Sequence, residues 1–573
     1  MTSAVENSAA GDMASSSRRK WIVAVAIPIV VQLVLSCHFA ATASVTHDEY
    51  WHLPVGSLHC RTARFDWEPL NPPLVRAWAG LPVAFVDSTP IPEKPIPPGE
   101  YGDRFIRANG DRFESRYFLG RLMIVVLSVT TTLLMACWAW MAFGPPAAVV
   151  VAVTWGLSPS TIAHGSLVTT DMSAALAFVG VLWTVERFAA FPNWKRALAW
   201  GLALGLAQAA KYTCVLLYPL SFLGWWLAVR PAAGRPPVRA ILLRTAAGLA
   251  VSLAVLNASY LFEGSFRPLA SYTFRSRAMI TIQNFLRPVS RLPVPVPAAW
   301  LTGLDEQRTV MEQQHPVFLD GVWSVTGFRD YYLKAIVYKT PLGTLGLMLL
   351  ATIALVLRRT EVRKVLFLIV PAAGLLVLAS SEGMQLGIRY VLPAVALMTL
   401  AASSVAASTN AVVQKGALGL AVLSLAGLAS HPYELASFNL LAGGPDGGRY
   451  HLVDSNLDWG QDLGTLAKSM RQEGIDELGL AYFGTVDPGV MGIRFHEPPS
   501  RPKPGLYAVS VNFVMGRPHV ILDGKGGSRA VNIHEFSYFQ FFEPVTRLGH
   551  SIDVYRLSEK DVTEWERAVD AAR

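Results

Sequence analysis

The chain has 573 residues, with 49 Lys or Arg and 41 Asp or Glu, so its formal net charge is +8. Hydrophobic residues make up 52% and charged residues 16%, whereas charged residues are about 25% of typical soluble domains. This composition argues against one large soluble enzyme and against a disordered chain, and it indicates a protein that lies mainly in lipid.

Eleven apolar segments follow one another along the chain. A helix that crosses a bilayer needs about 20 apolar residues. The third and fifth segments are short, so the number of membrane spans could differ from eleven by one or two. The segments are 21–43, 117–141, 146–158, 170–190, 196–210, 211–229, 240–261, 335–357, 364–381, 390–408 and 412–430.

The first segment follows Arg18-Arg19-Lys20 and has some features of a signal peptide. Its apolar run is longer than the usual signal core of about 7–15 residues, so a retained membrane span is favoured.

Basic residues are distributed unequally between the two sides of these spans. With the N-terminal tail 1–20 in the cytoplasm, the short outer connections hold only Lys211 and Arg389. The positive-inside rule therefore predicts this orientation and explains the net charge without nucleic-acid binding. The cytoplasmic connections and adjoining span ends hold Arg18, Arg19, Lys20, Arg187, Lys195, Arg196, Arg230, Arg235, Arg239, Arg244, Arg358, Arg359, Arg363, Lys364 and Lys415.

The predicted fold is an all-α polytopic membrane domain, residues 21–430, followed by a small extracytoplasmic α/β domain, residues 431–573. Two long outer loops, 44–116 and 262–334, interrupt the membrane domain. The first loop contains two segments with mixed faces, His47–Leu58 and Pro73–Val83, that are predicted to be interfacial helices. In the last domain the predicted strands are Tyr450–Val453, Leu478–Phe483, Gly505–Val511 and Ser551–Leu557, and the predicted helix is Gln461–Glu473.

Acidic residues stand close to the outer ends of two spans. Asp48 and Glu49 come within about five residues of the first span, and Asp48 shares a helical face with His52. Two carboxylates at a membrane surface suit general-base chemistry, since partial burial raises a carboxylate pKa. Asp171 begins the fourth span, where an ionisable group is a functional candidate. Both sites also fit a simpler role, because acidic side chains stabilise helix N-termini.

Three basic residues, Lys211, Lys339 and Arg389, begin or end spans on the same predicted face. A phosphate at the outer interface would bind such residues, and Arg can bind it with two hydrogen bonds. The alternative is that they extend to lipid head groups. Three cations that face the same side as two acids favour a shared anionic ligand. A lipid-linked sugar phosphate fits this pattern, with a carboxylate taking the proton of the acceptor hydroxyl.

Several motifs in chain order resemble those of a known group of proteins. They resemble the GT-C superfamily of membrane glycosyltransferases, above all bacterial glycosyltransferase family 39, which includes protein O-mannosyltransferase-like and aminoarabinose transferase-like members. Asn71 stands where the family's HPPL segment has His. The motifs are Asp48-Glu49-x-x-His52, Asn71-Pro72-Pro73-Leu74, Ser158-Pro159 through His164-Gly165 to Thr170-Asp171, Lys211-Tyr212-Thr213, Tyr338-Lys339-Thr340-Pro341-Leu342, Gly387-Ile388-Arg389-Tyr390 and Asp454–Leu463.

The resemblance implies an inverting glycosyltransferase of the bacterial inner (plasma) membrane. It would move a hexose or pentose from a polyprenyl-phosphate donor to an acceptor hydroxyl on the outer face. The acceptor is a protein, a lipid or an envelope glycan. No cofactor is predicted to be required, and no metal site is predicted, although some relatives hold an ion.

The resemblance also assigns roles to residues. Asp48 would be the general base or would orient the acceptor, Glu49 would support it, and Asp171 would be a second catalytic acid. The donor phosphate would bind Lys211, Lys339 and Arg389. The supporting residues would be His52, His164 and Tyr390.

The segment Asp454–Asp462 is rich in oxygen ligands but lacks the Gly and Glu of an EF-hand loop, because Trp459 and Thr465 take those places. Turns and a helix cap are therefore favoured over calcium binding.

Two other functions remain open. A transporter or flippase of lipid-linked glycans would place charges near the midplane and would show repeats, which this sequence does not. A scaffold with a partner-binding tail would leave the acidic first loop without a role.

Overall fold

The computed structural model describes residues 2–229 and 236–572. Arg230 and Arg235, two of the basic residues predicted on the cytoplasmic side, lie outside the described residues. The chain is mostly helical, and its strands are short and lie after residue 316. The predicted fold class, a helical membrane protein with a small C-terminal α/β region, is confirmed.

Eleven of the described α-helices lie before residue 260. They are α1 (Thr2–Thr42), α2 (Glu49–Thr62), α3 (Pro73–Ala84), α4 (Pro98–Asn109), α5 (Phe113–Phe143), α6 (Pro145–Thr154), α7 (Pro159–His164), α8 (Asp171–Ala190), α9 (Trp194–Ala210), α10 (Leu217–Ala228) and α11 (Val238–Ser259).

Seven more helices and a hairpin complete the helical part. They are α12 (Arg277–Phe285), α13 (Ala298–Met311), β1 (Val317–Leu319), β2 (Val322–Ser324), α14 (Tyr331–Lys339), α15 (Leu342–Val356), α16 (Val362–Ser381), α17 (Leu392–Ala402) and α18 (Ala411–Ser424).

Among the described residues, seven helical segments are long and apolar enough to cross a membrane, and three shorter apolar helices accompany them. The long segments are Arg18–Thr42, Pro98–Phe143, Asp171–Ala190, Val238–Ser259, Val362–Ser381, Ile388–Ala407 and Ala411–Ser430. The shorter ones are Pro145–Thr154, Tyr212–Ala228 and Leu342–Val356. The protein is thus an integral membrane protein. Eleven crossings stay a prediction, because α9, the fifth predicted span, belongs to neither group.

Glycines allow the closest helix contacts. A Cβ on Gly56 of α2 would lie 2.1 Å from the Arg76 carbonyl oxygen of α3, and one on Gly201 of α9 would lie 2.2 Å from the Gly248 carbonyl oxygen of α11. Small residues let backbones approach in this way. The predicted interfacial segments of the first loop are α2 and α3, and this contact packs them against each other.

The C-terminal region, residues 431–573, carries a mixed five-stranded sheet of order β4-β3-β5-β9-β8 and a separate β6-β7 hairpin. Strand β3 is parallel to β4 and β5, whereas β9 is antiparallel to β5 and β8. The elements are α19 (Gly444–Gly447), α20 (Leu463–Glu473), β3 (Glu477–Ala481), β4 (Arg494–His496), β5 (Gly505–Ser510), α21 (Val511–Val514), β6 (His519–Leu522), β7 (Ser528–Val531), β8 (Thr546–Leu548), β9 (Ile552–Leu557) and α22 (Glu559–Ala572).

Three of the four predicted strands and the predicted helix of this region are present, as β3, β5, β9 and α20. The strand predicted at Tyr450–Val453 is wrong. The backbone N–H groups of His451 and Leu452 both donate to the Gly448 carbonyl, which winds this segment into a turn. Buried Arg449 fixes the turn through its ion pair with Asp553 of β9.

Candidate active site

A cavity of about 280 Å³ with several charged side chains in its wall lies where the first outer loop, the start of α8, the turn before α17 and the C-terminal region meet. We call it the charged cavity. Six sequence-predicted site residues line it: Asp48, His52, Asp171, Lys211, Arg389 and Tyr390. These residues come from positions 48 to 390 of the chain, so the fold brings most of the predicted site into one place.

Two acidic and two basic side chains form a compact network of ion pairs in the charged cavity. The Arg389 Nη1 donates to Asp48 Oδ2 at 2.6 Å and lies 3.8 Å from Asp171 Oδ2. The Lys211 Nζ donates to Asp171 Oδ1. Asp171, Lys211 and Arg389 are buried, whereas the Asp48 side chain keeps 21% of its exposure. Asp48 is therefore the acid of the network that an incoming molecule reaches most easily.

Local backbone geometry explains how Arg389 reaches this network. Gly387 has φ 122°, in the left-handed region, and a Cβ there would lie 2.9 Å from Ser455 Oγ. Glycine fits here because, without a Cβ, it adopts a positive φ readily and leaves room for Ser455. The chain then makes a single helical turn, Ile388–Val391, that directs Arg389 into the cavity.

The position of Asp171 bears on its simpler role as a stabiliser of the α8 N-terminus. Asp171 is the first residue of α8, where a negative charge is favourable. Its carboxylate nevertheless binds Lys211, which follows the last residue of α9 in an extended conformation. The ion pair between α8 and α9 shows that Asp171 does more than start a helix.

The pKa of Asp48 is lowered, which is the opposite of the shift expected from partial burial. Burial by itself would raise the pKa, but the nearby Arg389 guanidinium outweighs it. Burial lowers the pKa values of His47 and His52. At neutral pH, Asp48 is therefore a carboxylate between neutral imidazoles.

Six buried polar atoms on residues of the cavity wall have no hydrogen-bond partner among the described residues. A buried polar group without a partner costs about 1–3 kcal/mol. Their concentration around one cavity indicates a site that completes its hydrogen bonds with a polar ligand. They are Asp171 Oδ2, Arg389 Nε, His47 Nδ1, His52 Nδ1, Thr169 Oγ1 and Arg517 Nε.

Glu49, the neighbour of Asp48 in the chain, is completely buried and is not among the described residues that line the charged cavity. Its Oε1 accepts from Arg121 Nε and Val168 N, both at 2.8 Å. Its Oε2 accepts from Arg121 Nη2 at 2.6 Å and from Thr46. With both oxygens engaged, Glu49 holds the loop that carries Asp48 and has little capacity left for a substrate.

Two other predicted site residues lie away from the cavity. Lys339 is buried, and its Nζ donates to the carbonyls of Leu435 at 2.8 Å and Asn456 at 2.6 Å. His164 is buried with its ring 6.3 Å from that of Trp459. Neither is among the described residues that line the cavity. Lys339 instead joins the membrane domain to the C-terminal region.

The C-terminal region supplies a wall of the cavity that sequence reasoning did not assign. The Trp459 ring lies 4.2 Å from the Arg389 guanidinium carbon, and Arg517 forms an ion pair with Asp454. The motif around Trp459 was visible in the sequence, but no signal marked Arg517 or His519. The C-terminal residues of this wall are Asp454, Trp459, Phe483, Arg517 and His519.

The segment Asp454–Asp462 binds both loops that carry the charged network. Backbone carbonyls of Trp459 and Gln461 accept from His47 N at 2.9 Å and Ser44 N at 2.8 Å. On the other side, Asn456 Oδ1 accepts from Ile388 N at 3.0 Å. The segment therefore fixes the position of Asp48 relative to Arg389.

The acids of this segment do not converge on one point. Asp458 accepts from Ser510 and from Gly460 N, and burial raises its pKa to about 8. Asp462 accepts from Ser551 at 2.6 Å, and burial raises its pKa to about 6. Among the residues that the structure describes, no group of three or more His, Cys, Asp or Glu is arranged to hold a metal ion. The prediction that no cofactor is required stays a prediction.

An apolar groove of about 390 Å³ lies beside the charged cavity, between α3, α5, α8 and α9. It reaches Ser173, two residues after Asp171, and Ala210, directly before Lys211. Apolar side chains such as Leu74, Trp78 and Leu206 form its surface. An amphiphile with its head at Lys211 would thus find an apolar path for its tail.

The solved structures that match this chain are distant from it in sequence. ArnT from Cupriavidus metallidurans in the apo state is 15% identical, with a TM-score of 0.46, over 80% of this chain and 73% of that chain. The same protein bound to undecaprenyl phosphate is 15% identical, with a TM-score of 0.45, over 75% of this chain and 68% of that chain. The S. cerevisiae protein O-mannosyltransferase Pmt1-Pmt2 complex bound to the sugar donor is 23% identical, with a TM-score of 0.33, over 42% of this chain and 33% of that chain.

A search of curated protein sequences finds no match. The model of the family described as dolichyl-phosphate-mannose-protein mannosyltransferase matches residues 112–260. This stretch runs from the start of α5 to the end of α11 and includes Asp171 and Lys211. Over this part of the chain, the resemblance inferred from the sequence motifs is confirmed.

Proposed function

We propose that this protein is a glycosyltransferase that moves a sugar from a polyprenyl-phosphate donor to an acceptor hydroxyl. The observation that carries the proposal is the charged cavity, where Lys211 and Arg389 meet Asp48 and Asp171 beside an apolar groove. The family match over residues 112–260 supports a transferase of this class. The sugar, hexose or pentose, and the acceptor, a protein, lipid or glycan, stay open.

The donor phosphate binds Arg389 and Lys211 in this proposal. Guanidinium groups bind phosphate with two hydrogen bonds, and an ammonium group adds a point charge. The unpartnered Arg389 Nε is available for the second bond. The polyprenyl chain would lie in the groove that ends at Ala210. Lys339, whose Nζ is occupied by two carbonyls, is left out of the phosphate site.

Asp48 serves as the general base. The acceptor oxygen attacks the anomeric carbon, the bond from that carbon to the phosphate oxygen breaks, and the phosphate leaves with the bonding electrons. Asp48 takes the proton of the acceptor hydroxyl. When the donor phosphate draws Arg389 away, the attraction that lowers the Asp48 pKa weakens, so donor binding makes Asp48 a stronger base.

The remaining acids and rings support this reaction. Asp171 holds Lys211 in place, and Glu49 holds the loop of Asp48. His52 and Tyr390 line the cavity, and in this scheme they would contact the donor or the acceptor. No metal or other cofactor is required in this scheme. The proposed location is the bacterial inner membrane, with the N-terminus in the cytoplasm and the C-terminal region outside.

The test is transfer by the purified full chain in lipid nanodiscs. Polyprenyl-phosphate hexoses and pentoses serve as donors, and envelope fractions serve as acceptors. We expect Asp48→Asn to reduce transfer by about 100-fold or more, in line with the loss of a general base. The matched control is Asp111→Asn, which removes an exposed carboxylate from the same outer loop. Full activity in Asp48→Asn, with an identified donor, would contradict the mechanism.

A further inference from the structure

A second cavity, of about 720 Å³, lies at the opposite ends of the helices from the charged cavity. The C-terminal end of α15, the start of α16 and the connection before α18 form its walls. Helix α16 has 20 residues and runs from this cavity towards the turn that carries Arg389, a length of about 30 Å. The two cavities therefore face different surfaces of the membrane domain. We call the second one the basic cavity.

The basic cavity combines a cationic rim with an apolar wall. The rim holds Arg358, Arg359 and Lys364, with the exposed Glu361 as its only lining acid among the described residues. The apolar wall holds Leu350, Ile353, Leu357, Val405 and Val413. Hydroxyl and amide groups lie between them, on Thr360, Ser404, Ser408, Thr409 and Asn410. Cations, hydrogen-bonding groups and apolar side chains in one cavity match an anionic amphiphile.

The basic cavity differs from the charged cavity in the ion pairs that its basic residues form. Among the described residues, Arg358 and Arg359 have no acidic partner within ion-pair distance. Lys364 lies 3.8 Å from Glu361, and its Nζ donates to the Ala142 carbonyl at 2.9 Å. In the charged cavity, by contrast, Lys211 and Arg389 each bind a carboxylate. Two unpaired guanidinium groups leave a net positive charge for a ligand to neutralise.

We propose that the basic cavity binds the phosphate head group of an anionic glycerophospholipid. Guanidinium groups bind phosphate strongly, and a lipid would place its acyl chains along Leu350 and Ile353. Basic pockets between membrane helices on the cytoplasmic side suit such head groups. Orientation alone explains basic residues on this side, but it does not require them to line a cavity with an apolar wall.

Thermal unfolding of the purified full chain in detergent tests the proposal. Phosphatidylglycerol, phosphatidylcholine and inorganic phosphate are titrated separately. We expect a saturable rise in Tm with phosphatidylglycerol alone. The double variant Arg358→Gln/Arg359→Gln should need about tenfold more of this lipid, since each basic residue contributes to binding near the surface. The control is Lys195→Gln/Arg239→Gln, which removes two exposed basic residues elsewhere on the predicted cytoplasmic side.

Three results would overturn the proposal. They are an equal rise with phosphatidylcholine, an unchanged response in the Arg358→Gln/Arg359→Gln variant, and an equal rise with inorganic phosphate, which would indicate a site for soluble anions. A gain-of-binding variant covers the case in which the double variant fails to fold. Glu361→Gln removes the only acidic side chain among the described residues that line the basic cavity. This variant should therefore bind phosphatidylglycerol at lower lipid concentration than the wild type. Unchanged or weaker binding in Glu361→Gln would also count against the site.

Discussion

The two walls of the charged cavity come from parts of the chain with opposite surroundings. On one wall, Asp48, Asp171, Lys211 and Arg389 stand at or near the ends of apolar helices, where each charge is conspicuous. The other wall belongs to the C-terminal region, in which charged residues are ordinary. Charges in an apolar segment are costly and therefore mark function, whereas charges in an exposed α/β region do not. Sequence reasoning consequently assigned roles to residues of the first wall and to none of the second.

The walls also differ in how their charges are held. The acids of the membrane domain pair with its own bases, through Arg389 and Lys211. Arg517 pairs with Asp454 inside the C-terminal region. The two walls meet where the Trp459 ring lies over Arg389. Substitutions can therefore separate residues that react, residues that hold a loop and residues that join the walls.

The largest effect is expected for Glu49→Gln, and it is an effect on stability. The change leaves Arg121 buried with a weakened partner, and breaking a buried ion pair costs about 3–5 kcal/mol. We expect a clearly lower Tm in detergent, with a smaller loss of transfer per folded molecule than in Asp48→Asn. A normal Tm with abolished transfer would place Glu49 among the reacting groups instead.

Replacing Arg389 by Lys should reduce transfer by about 100-fold, because an ammonium group cannot make the two-bond contact with phosphate. It also weakens the contact with the Trp459 ring. Transfer assays at donor concentrations well below saturation measure the effect. Arg308→Lys, which changes another arginine paired with an acid near the outer loops, is the matched control. Equal activity of Arg389→Lys and wild type would remove Arg389 from the phosphate site.

The contact between the walls predicts a smaller effect for Trp459→Ala. A cation–π contact of this kind is worth about 1–2 kcal/mol, so transfer should fall by about tenfold. Trp459→Phe keeps an aromatic face and should retain most of the activity. If both variants lose the same activity, the ring acts through packing rather than through its contact with Arg389.

Sequence reasoning predicted the helical membrane domain, most of the charged network and the α/β character of the tail. It placed Lys339 at the donor phosphate because a lysine at a span end has the same sequence pattern whether it binds phosphate or two backbone carbonyls, which are its partners here. It predicted a strand at Tyr450–Val453 because alternating polar and apolar residues do not reveal that the preceding Arg449 is buried in an ion pair with Asp553, which fixes a turn. Arg517 and His519 lie far from the membrane spans in sequence, and only the fold brings them to the cavity.

The last prediction concerns how stability depends on pH through the segment that joins the walls. Burial raises the pKa of Asp458 from 3.8 to about 8, so the folded state holds this proton more tightly than the unfolded state. The contribution of Asp458 to stability therefore falls as the pH rises from about 4 to about 8. Asp458→Asn keeps the acceptor oxygen for Gly460 N and removes this titration, so its Tm should fall less than that of wild type across this range. Asp476→Asn, which changes an exposed acid of the same region, should follow the wild type. Parallel curves for Asp458→Asn and wild type would mean that Asp458 is ionised in the folded protein, and that its hydrogen bonds outweigh the cost of burying the charge.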